Sequence, residues 1–207
     1  MTRRSAGAAP AGWNWNLHHH RAILDAIPPG ARTAVDIGTG NGFLAVDLAE
    51  RGLQVLALDV DAPTAALAAD TVEASGLRGC VEVRHADVLD SRLTDRFDVV
   101  ASVSTLHHLP DEALGLRRMA TLAAPAGVLV VVAFARPSGP ADVVRSIAGT
   151  VIAQGQRLRG RYWEHDAPLA WPPPHTRRQL ERLAATELPG STVRPLMAGR
   201  YCITWRP

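Results

Sequence analysis

Apolar positions along the chain change period several times, and each change marks an element. Ala34-Val35-Asp36-Ile37 and Gln54-Val55-Leu56-Ala57-Leu58-Asp59 are apolar runs of strand length, each with an acid at or near its end. Val81-Glu82-Val83-Arg84-His85, running into Ala86-Asp87-Val88, reads as a third strand, Phe97–Val103 as a fourth and Val128–Phe134 as a fifth. The segments between them are helical in period. Leu44/Leu48 and Ala45/Ala49 recur four apart, and Leu116, Met119, Ala120 and Ala123 follow i, i+3, i+4, i+7 spacing. Gly52 is placed to cap the first of these helices, Asp61 and Pro63 to start the next, and Pro125-Ala126-Gly127 to turn into the fifth strand. Strands alternating with helices predict an α/β fold with a mainly parallel, doubly wound sheet. Its ligand should lie across the carboxyl ends of the strands.

The turn after the first strand carries the candidate chemistry. Gly38, Gly40 and Gly42 alternate with Thr39 and Asn41 just after Asp36, and a helix opens directly behind them. Glycines there let the backbone bend sharply and approach a ligand closely, while the helix start offers free N–H groups. A dinucleotide site requires G-x-G-x-x-G, and Phe43 occupies the position of its third glycine. An acid followed by G-x-G-x-G resembles motif I of the class I S-adenosylmethionine (SAM) dependent methyltransferases. That resemblance extends from Trp13 to Ala135 and resumes at Thr192–Leu196 and Arg200–Trp205, which look like the closing antiparallel hairpin of the family.

The resemblance implies a seven-stranded, Rossmann-like methyltransferase sheet with a C-terminal antiparallel hairpin and a helical lid insertion. It implies SAM as cofactor and S-adenosyl-L-homocysteine as product. Asp36, Gly38, Thr39, Gly40 and Gly42 would surround the amino-acid half of the cofactor. Asp59 would accept the ribose hydroxyls and Asp87 would meet the adenine amino group. Val60 and Val88 would pack on the ring faces, and Ser102 would lie at the fourth strand end. Each acid taken singly could instead cap a helix. Three of them at successive strand ends in register with the glycines favour a shared ligand. His107 and His108, just past the fourth strand, are the candidates for a base, since histidine titrates near neutrality. A packing or helix-capping role for that pair stays open.

Composition trims the alternatives. All 22 basic residues are Arg, which removes Schiff-base and P-loop lysine chemistry. A net charge of +2 gives no case for nucleic acid. Cys80 and Cys202 form neither a disulfide framework nor a metal spacing, and both fall in expected strands where a thiol is inert. No apolar run is long enough for a membrane span and no signal peptide is evident, so a cytoplasmic protein is expected. No metal site is expected: His18, His19 and His20 are adjacent on a helix and point about 100° apart, so they cannot converge on one ion. That aromatic, His-rich segment either folds over the cofactor or simply packs.

Residues 1–12 are expected to be disordered and 13–207 to form one domain, with 136–189 inserted on the substrate side. The insertion holds an expected helix from Ala141 to about Gln154, an Arg-rich stretch (Arg157, Arg159, Arg161), Tyr162-Trp163, Ala170-Trp171-Pro172 and a helix from Thr176. Eight arginines between Arg136 and Arg182 face four acids, which would suit an acidic or aromatic small molecule, or merely a solvated helix face. The loop Ser102-Val103-Ser104-Thr105 lacks the Asn/Asp-Pro-Pro-aromatic pattern of amino-directed nucleic-acid methyltransferases. The reading is therefore a methyltransferase acting on O, N or C of a small molecule, with no membrane partner and a homodimer allowed. Competing readings are a SAM-binding protein of this fold without methyl transfer, an RNA or protein methyltransferase, and an NAD(P)-dependent reductase.

Overall fold

The computed structural model describes residues 12–90, 92–163 and 172–207. Its elements are α1 (Trp15–Leu24), β1 (Thr33–Ile37), α2 (Phe43–Glu50), β2 (Gln54–Asp59), α3 (Ala62–Ser75), β3 (Val81–His85), β4 (Phe97–Val103), α4 (Glu112–Thr121), β5 (Ala123–Phe134), α5 (Pro140–Leu158), α6 (Arg177–Glu187), β6 (Thr192–Pro195) and β7 (Arg200–Trp205). They build one seven-stranded sheet in the order β3-β2-β1-β4-β5-β7-β6. β1 runs parallel to both β2 and β4, and β4 parallel to β5, whereas β7 is antiparallel to β5 and to β6. The chain therefore leaves β1 toward β2 and β3, then returns to place β4 on the other side. This reversal opens a crevice at the carboxyl end of β1.

Alternation within each strand divides the core into two layers. Val35, Ile37, Leu56, Leu58, Val100, Leu129 and Val131 join Leu116, Met119, Leu180 and Leu188 on one face. Ala34, Val55, Ala57, Val99, Ala101, Val130 and Val132 join Ile23, Leu44, Leu48 and Val72 on the other. Covering on both faces explains why β1, β2, β4 and β5 read as continuous apolar runs. α6 buries Leu180 and Ala184 in the first layer, so this part of the 136–189 segment is a core helix of the sheet. It opens with a capping box between Thr176 and Gln179. α5 differs in exposure: Val144, Ile147 and Val151 are exposed along its outer side.

The expected strand bounds need one correction at β5 and one at Cys80. β5 starts at Ala123, where Phe97 pairs with Ala123 before the register jumps to Val99 with Val128. The Pro125-Ala126-Gly127 stretch is thus a bulge inside the strand edge rather than a turn ahead of it. Gly127 is needed there because a Cβ would lie 2.9 Å from the carbonyl oxygens of both Phe97 and Asp98. Cys80 precedes β3 instead of lying in it and is half-buried, while Cys202 is buried in β7. Trp171 and residues 1–11 lie outside the described residues. Among the described residues, no helix is long and apolar enough to cross a membrane.

Two glycines separate backbone strain from packing. Gly42 caps α2 at φ 80°, and a Cβ on it would meet the Ala68 backbone at 3.1 Å; Gly52 has φ 86° with open space around it. Gly42→Ala should therefore cost about 2 kcal/mol or more and Gly52→Ala about 1 kcal/mol, read from urea midpoints of the two variants.

Candidate functional site

The glycine turn is pinned by the neighbouring strand. The N–H groups of Gly38 and Thr39 both donate to the Leu58 carbonyl of β2 at 2.9 Å, and the Gly40 N–H donates to Asp59 Oδ2 at 3.0 Å. Gly38, Gly40 and Gly42 all have positive φ (70°, 57° and 80°), which only glycine adopts without strain. A Cβ on Gly38 would also lie 2.2 Å from Thr105 Oγ1, so this glycine lets the loop after β4 close on the turn. Asp36 is 1% exposed and accepts from Thr39 Oγ1 at 2.7 Å. Burial pushes its carboxyl up to about 6, against the pull of the Thr39 hydrogen bond and of nearby His20.

A cleft opens above this turn, lined by Asp36, Gly38, Thr39, Gly40, Asn41, Phe43, Leu44, Val103, Asn14, Asn16, Leu17, His20 and Trp163. Its roof comes from two distant segments joined to each other. Trp13 N–H donates to the Arg161 carbonyl, and Trp163 N–H to the Trp13 carbonyl at 2.9 Å. Trp163 meets Phe43 edge-on, with ring centroids 5.6 Å apart. α1 is anchored by Asn14 capping Leu17 N–H and by His20 Nδ1 at 2.6 Å from Asp47 Oδ2 of α2. Of the three histidines only His20 lines the cleft, while His18 and His19 pack against Trp15 and against each other. Among the described residues no group of His, Cys, Asp or Glu is placed to hold a metal ion.

The other candidate residues fall at the neighbouring strand ends. Asp59 is half-buried, and its Oδ1 accepts from Asp61 N–H at 3.1 Å. Ala86 N–H donates to the Asp59 carbonyl, which brings the Asp87 segment alongside. Asp87 is exposed, with Oδ1 accepting from Leu89 N–H; Val60, whose carbonyl lies 3.1 Å from His85 Nε2, is 67% exposed. Val88 instead is buried in the core beneath Asp87. Arg118 of α4 fixes that loop by donating to the carbonyls of Val88, Asp90 and Leu93. Ser102 is fully buried and donates to the Ile37 carbonyl at 2.9 Å, tying the ends of β4 and β1 together.

His107 and His108 sit on a short 3-10 turn after β4. Their rings are 4.1 Å apart, and His107 packs edge-on against Phe134 at 5.1 Å. His108 is exposed. Burial, with His108 and Arg200 nearby, lowers His107 to about 4, and its buried Nδ1 has no hydrogen-bond partner.

Several residues here carried no sequence signal. Ser104 adopts φ 56°, an unusual conformation for a side-chain-bearing residue, and donates from Oγ to Asn16 Oδ1 at 3.0 Å. Glu112 opens α4 with its carboxyl pushed up to about 7 by burial, 3.3 Å from His175 Nε2. Arg200 is buried at the start of β7 and donates to the same Asn16 oxygen at 3.0 Å. His19 is lowered to about 3, chiefly by burial and then by Arg200.

A mainly parallel sheet with this reversal, a glycine bend at the end of β1 and carboxylates at the next strand ends is the architecture of doubly wound nucleotide-binding α/β folds. Comparison narrows the class. Residues 35–131 match the family model described as a methyltransferase domain. An uncharacterized methyltransferase of Mycobacterium tuberculosis is 37% identical over 196 residues, spanning 94% of this chain and 96% of that one. A ubiquinone biosynthesis O-methyltransferase of Stutzerimonas stutzeri is 33% identical over 119 residues, 57% of this chain and 48% of its own. A SAM-dependent methyltransferase structure from Aquifex aeolicus superposes with a TM-score of 0.59 at 19% identity, covering 89% of this chain and 86% of that one. The chain belongs to the class I SAM-dependent methyltransferases.

The buried histidines make the fold acid-sensitive in a defined window. An unfolded histidine takes up its proton near pH 6.5, whereas native His19 does so only near 3, so stability is lost as pH falls between those values. His19→Gln should therefore gain on the wild type by about 2 kcal/mol between about pH 7 and pH 5, measured as the change in their urea-unfolding difference.

Proposed function

We propose that the enzyme moves the methyl group of SAM to an O, N or C atom of a small-molecule acceptor, a specialised metabolite in kind, leaving S-adenosyl-L-homocysteine. The observation that carries the small-molecule reading is the roof: Trp13, Trp163 and α1 cover the glycine turn and narrow the approach to it. The small net charge of +2 offers a polyanion no extended attraction. The relative named for O-methylation in ubiquinone biosynthesis agrees with this reading. Residues 13–207 then act as one methyltransferase unit, with part of 136–189 supplying the acceptor side.

The residues present fit the cofactor by their chemistry. The polar lining of Asp36, Thr39, Asn14 and Asn16 suits a zwitterionic amino-acid end, and the half-buried Asp59 keeps carboxylate lone pairs for a diol beyond the two N–H groups it already accepts. Asp87 and exposed Val60 flank the place for a base, with Val88 supporting Asp87 from the core and Ser102 fixing the strand ends below. Bound there, the sulfonium supplies an activated methyl carbon. The chain's own task is to align the nucleophile in line with that carbon and keep water out. Where the nucleophile carries a proton, His107 is the better candidate of the pair to receive it. Its ring is uncharged at neutral pH and its Nδ1 is free of protein partners, while His108 faces solvent.

Titration calorimetry with SAM and with S-adenosyl-L-homocysteine tests the cofactor assignment. Wild-type protein should bind both, and Asp59→Ala should weaken each by about tenfold to a hundredfold through loss of the ribose contact and of the Gly40 anchor. Absence of binding to wild type would falsify the reading. Once an acceptor is in hand, His107→Ala should lower kcat by about a hundredfold and leave cofactor affinity within about threefold, whereas His108→Ala should change kcat by less than about threefold.

A further inference from the structure

Among the described residues the side chains of Asp36, Asp142 and Arg200 are buried, and Asp36 lies in the cleft, held by the Thr39 hydroxyl. Asp142, 2% exposed, is neutralised by Arg145 and Arg177 and also accepts from Ser138 N–H. Arg200, 9% exposed, has no carboxylate against it among the described residues. Its guanidinium carries five N–H donors. One donates to Asn16 Oδ1 at 3.0 Å and one, at 3.4 Å, to the Ala198 carbonyl, while Nε has no partner. The flat of the group lies 4.2 Å from the Phe134 ring, which satisfies its face and leaves its hydrogen-bonding edge.

The surroundings are short of partners in the same way. His19 Nε2 and His107 Nδ1 are both buried without a hydrogen bond. Arg200 stands among the charges that hold these two rings neutral, and burial lowers Arg200 itself only to about 10, so it stays protonated. Three of the four buried side-chain atoms without a partner among the described residues, from α1, the turn after β4 and β7, thus belong to one electrostatic neighbourhood around Arg200. Their position is also informative. Arg200 pairs with Phe134 at the end of β5, on the side of β4 away from β2 and β3, where the carboxylates for ribose and base lie. Asn16 joins the two regions, because it lines the cleft and accepts from Arg200.

We propose that Arg200 binds a carboxylate carried by the methyl acceptor, so that this enzyme takes small organic acids. The inference rests on the methyltransferase reading of the neighbouring cleft. A single cation with a planar donor fork matches a planar monoanion, and the uncharged His19 can bond such a group without adding charge. Arg200 is then a specificity residue that acts on the acceptor's carboxylate.

Matched acids and amides provide the probe: benzoate, phenylacetate and succinate against benzamide, phenylacetamide and succinamide. Each is titrated into the wild-type protein saturated with S-adenosyl-L-homocysteine and followed by thermal shift and calorimetry. At least one acid should bind about tenfold more tightly than its amide. Arg200→Met should abolish that preference while retaining S-adenosyl-L-homocysteine affinity within about threefold, and Arg200→Lys should restore only part of it, lacking the fork. If no acid is preferred over its amide, the proposal is overturned. It is also overturned if Arg200→Met loses S-adenosyl-L-homocysteine instead, since the guanidinium would then serve the cofactor's own carboxylate. Failure of wild type to bind S-adenosyl-L-homocysteine would sink the cofactor assignment, a separate result. Arg200→Gln replaces Arg200→Met if the latter does not fold, and if neither folds the acid–amide comparison on wild type decides.

Discussion

The bend after β1 is held from outside itself, and most of the site depends on that constraint. Two successive N–H groups, of Gly38 and Thr39, converge on the carbonyl of Leu58, and the next, of Gly40, is taken by the Asp59 carboxylate. β2 thus fixes a loop that belongs to β1. A chain with positive φ at three alternating positions has little local reason to stay in that shape, since glycine surrenders more backbone freedom than any other residue. The parallel pairing of β1 with β2 supplies the reason. It also makes Asp59 a dual element, shaping the turn with one side of its carboxylate while its remaining lone pairs face outward.

The roof follows the same logic over a longer range. Neither the segment at Trp13 nor the one at Trp163 has a strand to join, yet they satisfy each other's backbone groups in a short parallel bridge. α1 is tied down by side chains instead. Asn16 receives hydrogen bonds from Ser104 and Arg200, and His20 reaches Asp47. α1 also packs into the core through Ile23, so the Trp13–Trp163 bridge, fixed by backbone bonds and ring edges, is the part of the cover with the lower cost of local opening. An enclosed small-molecule site needs such a cover if ligands are to enter and leave.

The sheet was legible in the sequence because its strands are buried on both faces, leaving uninterrupted apolar runs between glycine and proline breaks. The glycine bend was legible for a related reason: only glycine tolerates those dihedrals, so the requirement is written into residue type. β5 was less so. Its first residues, Ala123 to Gly127, are small and proline-containing and read as a turn, but a bulge absorbs them against Phe97 and Asp98. Arg118, Glu112 and Arg200 were invisible for a different reason. An arginine in a sequence is one of 22, and nothing local separates those that cover a surface from the one that ends buried against a residue 184 positions away. The insertion between β5 and β6 drew attention through its count of arginines, whereas the isolated cation belongs to the closing hairpin.

Asp142 and Arg200 show two ways in which this fold treats a buried charge. Removing an ion from water is costly, and folding alone would favour either a paired arginine or an apolar residue at position 200. Pairing was within reach of this fold, since α5 and α6 assemble a carboxylate and two guanidiniums a short distance along the chain. At Arg200 the neighbours are an amide oxygen, the Ala198 carbonyl, an aromatic face, the Tyr162 phenol and two histidines that burial keeps uncharged. Every one of them tolerates a cation and none neutralises it. Such a shell leaves the guanidinium without a counter-charge in the protein alone, which is the condition that the proposed acid-binding role requires.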